Sequence, residues 1–252
     1  MLARAGFVAA DAEARELVDA AGGDDAALEE AVRRRLAGEP LAWVTGHACF
    51  DDLGLVIRPG VYVPRWQSIE LARRAAARLP ERGNAVDLCT GSGALAVSLV
   101  RARPHARVVA TDTDPRSVDC ARANGVDARL GDLFDPLPPE LRGRTDVVVA
   151  VTPYVPTDSL RLLPRDTLDH EDAGHYDGGP EGTNVLERVI TGAPDFLRPG
   201  GSLLLEIGGD QAALLRPMLD GLGYSGVAAW SDDDGDVRGI EALWVRPPGV
   251  QR

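Results

Sequence analysis

The chain has 252 residues, of which 44% are hydrophobic, and its 27 basic residues are outnumbered by 39 acidic ones, which gives a formal net charge of −12. Because phosphate binding needs clustered positive charge, this balance argues against a nucleic-acid partner. No apolar run approaches the roughly 18 residues that span a bilayer, so we expect a cytoplasmic protein without a membrane partner. The three cysteines, Cys49, Cys89 and Cys120, lack metal-binding spacing and predict reduced thiols and no metal site.

The first forty residues are predicted to form two or three short helices, because apolar residues recur at helical spacing and the pair Gly22–Gly23 breaks the pattern. Between residues 47 and 65, apolar side chains alternate around Pro59–Gly60, which predicts a β-hairpin. We therefore divide the chain into a helical domain at 1–46, a linking hairpin at 47–65 and a main domain at 66–252.

From residue 84 onward, strand patterns alternate with helix patterns. The predicted strands are 85–88, 107–111, 128–130, 146–151, 202–207, 227–230 and 240–245, and the predicted helices are 94–102, 115–124, 185–196 and 211–222. This alternation indicates an α/β fold, a doubly wound Rossmann-like sheet of parallel strands with helices on both faces. In such sheets ligands bind beyond the carboxyl ends of the strands, so candidate site residues should follow each strand.

A glycine-rich turn from Asp87 to Gly93 follows the first strand of this main domain. Its glycines allow a tight turn and a close approach of the backbone to a ligand at a helix start. Asp112 ends the second strand, where a carboxylate can accept hydrogen bonds from ribose hydroxyls. Asp132 and Leu133 follow the third strand, where an acid and a backbone N–H can face an adenine. Acids at these three places predict an adenosine-bearing ligand.

The charge of the turn favours one such ligand. A dinucleotide carries a pyrophosphate and favours the full G-x-G-x-x-G turn, whereas this turn lacks the third glycine and begins with an acid. An acidic turn suits S-adenosylmethionine, whose sulfonium and amino groups are positive, and NAD(P) binding remains the alternative. The expected cofactor contacts are Arg65, Asp87, Cys89, Thr90, Gly91, Gly93, Asp112, Thr113, Asp132 and Leu133.

Four segments resemble a known family. Val63-Pro-Arg65, Asp87–Gly93, Thr152-Pro-Tyr154 and Leu203-Leu-Leu-Glu206 are similar to motifs of the HemK-type protein glutamine N5-methyltransferases. The longer Pro-Tyr-Val-Pro-Thr-Asp loop is most similar to the actinobacterial branch, whose substrate is unknown. The resemblance covers nearly the whole chain. It implies a class I S-adenosylmethionine-dependent methyltransferase fold in which the helical domain at 1–46 faces the substrate.

The resemblance also implies positions for the cofactor. It places Asp87 and Gly91 at the methionine moiety, Asp112 at the ribose, and Asp132 and Leu133 at the adenine. Cys89 departs from the family pattern, because the family usually has its first glycine there.

A second departure affects the catalytic loop. Family members carry Asn-x-Pro-Tyr where this chain has Val151-Thr152-Pro153-Tyr154. An amide nitrogen is a poor nucleophile and must be aimed by hydrogen-bond acceptors, and a valine side chain has none. Leaving one such contact unmade costs about 1–3 kcal/mol, and the aim of the nucleophile is lost with it.

Three explanations of Val151 stay open. The protein is an inactive S-adenosylmethionine-binding module, or a glutamine methyltransferase in which Thr152 or a neighbour restores the contact, or an enzyme whose pocket is retuned for another nitrogen. We favour the third, with in-line methyl transfer governed by proximity and alignment.

The preferred acceptor is the guanidinium of free L-arginine, because carboxylates can hold its planar fork. That reaction opens nitrosourea (streptozotocin-type) antibiotic biosynthesis, and a glutamine of a release factor or ribosomal protein is the alternative. The expected catalytic residues are Glu70, Thr152, Pro153, Tyr154 and Glu206, and the expected substrate contacts are Glu70, Val151, Tyr154, Asp169 and Glu171. The sequence makes no prediction of the oligomeric state.

Overall fold

The computed structural model describes residues 1–163 and 165–245, without the side chains of residues 165, 166 and 168. Its helices are α1 (Ala10–Ala21), α2 (Asp25–Leu36), α3 (Leu41–Thr45), α4 (Ser68–Arg78), α5 (Ala94–Ala102), α6 (Pro115–Ala123), α7 (Arg165–His170), α8 (Asn184–Phe196) and α9 (Gln211–Gly221). Its strands are β1 (His47–Phe50), β2 (Leu53–Val56), β3 (Asn84–Leu88), β4 (Arg107–Asp112), β5 (Asp127–Leu130), β6 (Thr145–Ala150), β7 (Leu197–Glu206), β8 (Tyr224–Ser231) and β9 (Val237–Trp244). Among the described helices, none combines the length and apolar character needed to cross a membrane.

The N-terminal helices form where the glycine signals predict. Gly22 ends α1 in the left-handed conformation with φ of 58°, and Asp24 caps α2 by accepting hydrogen bonds from the N–H groups of Ala26 and Ala27. The hairpin that follows pairs β1 with β2, and its turn is at Asp51 and Asp52. Pro59–Gly60 does form a turn, closed by a hydrogen bond of 3.1 Å from the N–H of Val61 to the carbonyl of Arg58, but it joins no strands. The prediction of a hairpin around Pro59–Gly60 was therefore wrong, because the residues beyond Val56 pack as a loop.

The main sheet has the strand order β5-β4-β3-β6-β7-β9-β8. The strands from β5 to β7 are parallel, whereas β9 is antiparallel to both β7 and β8. The sequence predicted a parallel sheet, and β9 departs from it because a short connection from β8 can join only antiparallel strands. The chain leaves β3 toward β4 and β5 and later returns beside β3 with β6. This reversal between β3 and β6 is where a doubly wound sheet opens a crevice for ligands.

Alternation along each strand distributes the core over the two faces of the sheet. Ala85, Val149 and Leu204 lie in the cluster that packs against α4, α5 and α6. Val148 and Leu205 lie in the opposite cluster, which packs against α8 and α9. The same period of two places the side chains of Asp87 and Glu206 on the α4–α6 side, and this orientation decides what each carboxylate can contact.

Candidate active site

A cavity of about 870 Å³ lies at the carboxyl ends of the parallel strands. The turn after β3 and the residues after β4 and β5 line one end, and the loop after β6 and the last residue of β7 line the other. The loop after β6 folds back over the cavity, because Val155 donates to the carbonyl of Tyr176 over 2.8 Å and Gly178 donates to the carbonyl of Val155 over 2.9 Å. The cavity therefore has one end at β3–β5, called here the cofactor end, and another at β6–β7, called the substrate end.

The glycine-rich turn exposes part of its backbone to the cavity. Cys89 and Gly91 both line it and both have φ of 55°. At Gly91 the nearest atom to an added Cβ would be Tyr62 Cβ at 3.8 Å, so the backbone faces open space. Gly93 lies behind the turn, where an added Cβ would meet Ala121 Cβ at 3.1 Å. The turn can thus bring a ligand close to its backbone.

Asp87 does not line the cavity. Its carboxylate accepts hydrogen bonds from Thr90 Oγ1 over 2.6 Å and from the N–H of Ala96 over 3.2 Å. It therefore links the glycine-rich turn to the first turn of α5. Thr90 likewise lies outside the lining residues. Burial raises the pKa of Asp87 to about 7, and the two hydrogen bonds oppose the rise. The expectation that Asp87 contacts the cofactor is corrected, because strand alternation directs its side chain toward α5.

Asp112 lines the cavity at the end of β4. Its two oxygens accept hydrogen bonds of 2.9 Å from the N–H groups of Gly91 and Asp114. Burial raises its pKa, and the two N–H donors oppose that rise. Each carboxylate oxygen keeps a further lone pair, so Asp112 can still accept hydrogen bonds from ligand hydroxyls. Thr113, beside it, also lines the cavity.

The end of β5 contributes an ion pair to the cavity wall. Asp132 Oδ2 accepts from Arg188 of α8 over 2.5 Å, and both residues line the cavity. Leu133 follows with φ of 45°, and Thr111 Oγ1 donates to its carbonyl over 2.8 Å. Leu133 can therefore pack against a planar ring while Asp132 stays available at its edge.

The cations of the cavity are all matched by acids. In the part of the chain that the structure describes, the arginines that line the cavity are Arg65, Arg116 and Arg188, and their ion-pair partners are Glu171, Asp114 and Asp132. A pyrophosphate would find no unpaired cation here, whereas the carboxylates suit a cationic ligand. The residues at the cofactor end therefore fit S-adenosylmethionine better than a dinucleotide.

The substrate end begins where β6 stops at Ala150, one residue earlier than predicted. Val151 and Pro153 line the cavity, and Thr152 between them is 2% exposed. The Thr152 Oγ1 atom is buried without a hydrogen-bond partner. An unpartnered buried hydroxyl is costly, so this atom is a candidate for contact with a ligand.

Glu206 joins three elements at the substrate end. The Tyr154 hydroxyl donates to Glu206 Oε1 over 3.0 Å, and Ser68 Oγ donates to Glu206 Oε2 over 2.5 Å. Glu206 is 2% exposed and lines the cavity. Burial raises its pKa, and the bonds from Ser68 and Tyr154 oppose that rise. A buried carboxylate with a raised pKa is suited to accept a proton or an N–H group.

The amide of Gln211 holds the catalytic loop from the side of α9. Its Nε2 donates to the carbonyl oxygens of Tyr154 over 2.7 Å and Gly182 over 3.0 Å, while its Oε1 accepts from the N–H of Gly208 over 3.0 Å. At Gly182 an added Cβ would lie 2.2 Å from the Tyr154 carbonyl oxygen. The sequence reasoning missed this clamp, since nothing near Gln211 in the chain marks it.

A second network fastens the far side of the loop. Arg65 donates to Glu171 Oε1 over 2.6 Å and to the Tyr176 hydroxyl over 2.8 Å, and that hydroxyl donates to Glu171 Oε2 over 2.7 Å. Arg65 and Tyr176 line the cavity, whereas Glu171 is buried behind them. The structure therefore places Glu171 as a partner of Arg65 and not at the cavity surface.

Two further predicted site residues do not line the cavity. Glu70 is exposed and forms an ion pair of 2.8 Å with Arg74 one turn further along α4. It lies two residues beyond Ser68, about 200° around the helix, so it faces away from Glu206. Asp169 is exposed and does not line the cavity. Of the acids expected to hold a guanidinium, Glu206 lines the cavity. Two further acids of the loop that follows β6, Asp172 and Asp177, line it as well, and they accept from the N–H groups of Gly174 and Gly179.

Sequence reasoning also missed Gln67 and Trp66, which line the cavity beside Arg65. Gln67 Oε1 is buried without a hydrogen-bond partner. Trp66 is 64% exposed at the rim. Both residues directly follow Pro64-Arg65, a predicted motif, and this position was the signal in the sequence that could have placed them at the site. No group of three or more His, Cys, Asp or Glu residues in the described parts of the chain could hold a metal ion.

Known proteins are similar to this chain in sequence and fold. The profile of the family described as the methyltransferase small domain matches residues 66–134. A release factor glutamine methyltransferase of Geobacter sulfurreducens is 32% identical over 216 residues, which are 83% of this chain and 75% of the relative. The 4-amino-L-phenylalanine/4-methylamino-L-phenylalanine methyltransferase of Streptomyces pristinaespiralis is 39% identical over 193 residues, which are 72% of this chain and 65% of the relative.

A solved structure has the same fold. The Mtq2-Trm112 complex of E. cuniculi, responsible for the methylation of the eRF1 translation termination factor, has a TM-score of 0.54 and 23% identity, covering 73% of this chain and 99% of that chain. The fold of this chain is that of the class I S-adenosylmethionine-dependent methyltransferases.

Proposed function

Because the chain belongs to the HemK-type family of glutamine methyltransferases, we propose that it methylates the side-chain amide nitrogen of a glutamine in a translation release factor. The protein is a methyltransferase that uses S-adenosylmethionine. The relatives named above support the choice of a protein glutamine, and the chemistry of the substrate end supports an uncharged nitrogen. The free arginine predicted from the sequence has less support than this alternative.

The main support for a glutamine amide as the methyl acceptor is the set of polar groups at the substrate end. Gln67 Oε1 and Thr152 Oγ1 are neutral and unpartnered, and Glu206 already accepts from two donors. A guanidinium would need carboxylates to match its charge, and Glu70 and Asp169 do not line the cavity. Asp177 does line it, but its carboxylate already accepts from the Thr157 hydroxyl and from the N–H of Gly179. A neutral amide NH2 group matches this mixture of neutral acceptors and occupied carboxylates better.

We assign the cofactor to the β3–β5 end of the cavity. Asp112 would accept from the ribose hydroxyls, Asp132 and Leu133 would hold the adenine, and the backbone at Cys89 and Gly91 would approach the methionine portion. When bound, S-adenosylmethionine supplies a methyl group on a positively charged sulfur. S-adenosylmethionine has no phosphate group, so its binding requires no unpaired cation. This agrees with the ion pairs that every arginine described in the cavity wall forms.

The chain's own residues would then aim the nucleophile and take its proton. The loop carbonyls held by Gln211 and the acceptors at the substrate end fix the direction of the amide N–H groups. Alignment of this kind can lower the barrier of a reaction between two bound groups by up to about 7–11 kcal/mol. Glu206 lies at the same end, and because burial raises its pKa it is suited to accept the proton that the nitrogen releases.

A second candidate is a small amino acid with a free amine or guanidine. The side chain of Val151 offers no acceptor for an amide, and Trp66 exposes an aromatic surface at the rim. The relative from Streptomyces pristinaespiralis acts on 4-amino-L-phenylalanine, which agrees with such a substrate. A module that binds S-adenosylmethionine without turnover is the third possibility.

The test measures transfer of a labelled methyl group from S-adenosylmethionine to four acceptors under one set of conditions. These are an intact bacterial release factor, the same factor with the labelled glutamine replaced by glutamate, free L-arginine and 4-amino-L-phenylalanine. We expect label on one glutamine amide, located by mass spectrometry, and none on the replaced factor. Label only on a free amino acid would overturn the proposal in favour of the second candidate, and donor binding without any transfer would favour the module.

A further inference from the structure

We propose that the side chains of Gln67 and Thr152 together provide the hydrogen-bond acceptors that aim the substrate nitrogen. This inference deepens the proposed function and rests on it, because it assigns the N–H acceptors of that same site. It gives Gln67 a catalytic role in substrate positioning and replaces the acceptor that the side chain of Val151 cannot offer.

The first observation is that the unsatisfied atoms of the described chain concentrate in the cavity. Among the described residues, buried side-chain polar atoms without a partner belong to Gln67, Arg129, Thr152, His175, Trp230 and Trp244. Three of these residues, Gln67, Thr152 and His175, line the cavity. Folded chains rarely leave such atoms unpaired, so an unpaired polar atom on a residue that lines a cleft is a candidate for contact with a ligand.

The second observation is that Gln67 and Thr152 belong to one end of the cavity. Gln67 directly precedes Ser68, whose hydroxyl donates to Glu206. Thr152 lies two residues before Tyr154, whose hydroxyl donates to the other oxygen of Glu206. The two unpaired atoms therefore lie on segments that approach Glu206 from α4 and from the loop after β6.

The order of the strands separates this group from the cofactor end. Along the sheet, β5, β4 and β3 lie on one side of the chain reversal, and β6 and β7 lie on the other. The carboxylates of Asp112 and Asp132 belong to the first side, and Thr152 and Glu206 to the second. The acceptors at β6 and β7 are thus placed for the substrate.

His175 belongs to a different part of the cavity. Its ring centroid lies 6.2 Å from that of Tyr62, and Tyr62 Cβ lies 3.8 Å from where a Cβ added at Gly91 of the glycine-rich turn would be. Its unpaired Nδ1 is therefore assigned to the cofactor end and not to the substrate nitrogen.

The chemistry needs two acceptors with fixed directions. An NH2 group has two N–H bonds, and binding both leaves the face of the nitrogen as the part that can meet the methyl donor. Gln67 offers an amide oxygen and Thr152 a hydroxyl with two lone pairs. Both are uncharged, so they favour a neutral nucleophile over a cation.

This assignment predicts that activity and stability respond in opposite directions. Because the Thr152 hydroxyl is buried without a partner in the unliganded protein, Thr152→Val keeps the shape and removes an unsatisfied group. A hydroxyl kept for the substrate should be dispensable for folding, so the melting temperature of Thr152→Val should equal or exceed that of the wild type. A structural hydroxyl would give a lower melting temperature.

The experiment compares Thr152→Val, Thr152→Ser and Gln67→Met with the wild type, using the acceptor that the wild type methylates. We expect kcat/KM to fall about tenfold to a hundredfold in Thr152→Val and Gln67→Met, which corresponds to about 1.4–2.8 kcal/mol. Thr152→Ser should recover most of the activity because it keeps the hydroxyl. Affinity for S-adenosylmethionine, measured by calorimetry, should stay within about twofold. Thr191→Val, on the exposed face of α8, is the matched control and should behave as the wild type.

The outcomes separate this inference from the proposed function. If the wild type methylates arginine and not glutamine, the proposed function fails, and the variants still report whether Gln67 and Thr152 bind the reacting nitrogen. If kcat/KM is unchanged in Thr152→Val and Gln67→Met, or if Thr152→Val is less stable than the wild type, the inference is overturned whatever the substrate. If the wild type transfers no methyl group to any of the four acceptors, the inference is overturned together with the proposed function.

Discussion

Gln211 Nε2 donates a hydrogen bond of 2.7 Å to the carbonyl oxygen of Tyr154, so the first residue of α9 holds the loop that follows β6. The same nitrogen contacts the carbonyl oxygens of Glu181 and Gly182 over 3.2 Å and 3.0 Å. Three carbonyls from two segments therefore converge on one side chain. The direction of the Tyr154 hydroxyl toward Glu206 depends on this clamp as well as on the local sequence.

Replacing Gln211 with leucine should loosen the catalytic loop. The substitution leaves buried carbonyls without donors, and we expect the free energy of unfolding to fall by about 2–4 kcal/mol. Methyl transfer should fall more than S-adenosylmethionine affinity, because the loop forms the substrate end. Urea unfolding and steady-state kinetics measure the two effects. Leu214→Ala, half-exposed on the same helix, is the control and should change stability by less than about 0.5 kcal/mol. Unchanged kcat in Gln211→Leu would contradict the clamp.

Replacing Arg65 with alanine should destabilise the loop from its other side. Glu171 would keep its bond to Tyr176 but would lose the only cation paired with it in the described structure. Because Arg65 is partly exposed and Glu171 is buried, we expect a loss of about 2–3 kcal/mol in the free energy of unfolding.

The exposed pair of Arg73 and Asp51 offers the comparison for Arg65. Arg73→Ala breaks an ion pair of 2.9 Å between exposed side chains and should cost less than about 1 kcal/mol. Glu171→Gln combined with Arg65→Ala should recover part of the lost stability, because it removes the unpaired charge. Equal losses in Arg65→Ala and Arg73→Ala, measured by thermal unfolding, would show that the buried network does not fasten the loop.

Asp112→Asn should weaken binding of S-adenosylmethionine. In Asp112, one carboxylate oxygen accepts from the N–H of Gly91 and the other from the N–H of Asp114. An asparagine has only one oxygen, so one of these two N–H groups would face the amide NH2 instead. We expect the dissociation constant to rise about tenfold to a hundredfold, a loss of about 1.4–2.8 kcal/mol. Calorimetric titration with S-adenosylmethionine gives the measurement. Asp119→Asn, exposed on α6, should bind within about twofold of the wild type, and equal affinity in Asp112→Asn would remove Asp112 from the site.

The sequence predicted most of the main sheet because its strands are continuous apolar runs between glycine-rich turns. The residues that line the cofactor end could also be placed, since each follows a strand. The residues of the substrate end could not be placed in the same way, because which side chains of α4 face the cavity depends on how the helix is rotated about its axis. Ser68 faces Glu206 and Glu70, two residues later, faces Arg74.

Long-range pairing limits the prediction further. Glu171 meets Arg65 from 106 positions away, in a loop that has no periodic pattern. Acids in such a loop give no sign in the sequence of which line the cavity. Asp169 and Glu171, the two named as substrate contacts, do not line it, whereas Asp172 and Asp177 do. The unpaired atoms of Gln67 and Thr152 are likewise visible only in the structure.

The buried carboxyl of Asp87 should make stability depend on pH. Burial raises its pKa from 3.8 to about 7 in the folded protein. Between these values the folded state binds more protons than the unfolded state at this group, so the free energy of unfolding falls as pH rises from about 4 to about 7. Above about pH 7 the full cost of the buried charge is present and the contribution levels off. Each unit of pKa displacement corresponds to about 1.4 kcal/mol.

Asp87→Asn tests this dependence, because its amide oxygen can still accept from Thr90 and Ala96 without carrying a charge. Urea unfolding of the unliganded protein at pH 5, 6, 7 and 8, values chosen to span the titration expected from the linkage relation, gives the comparison. We expect the stability of Asp87→Asn, relative to the wild type, to increase with pH up to about pH 7 and then to stay constant. A difference that is the same at every pH would show that Asp87 stays ionised throughout, and its contact with the helix start of α5 would then have to stabilise the charge fully.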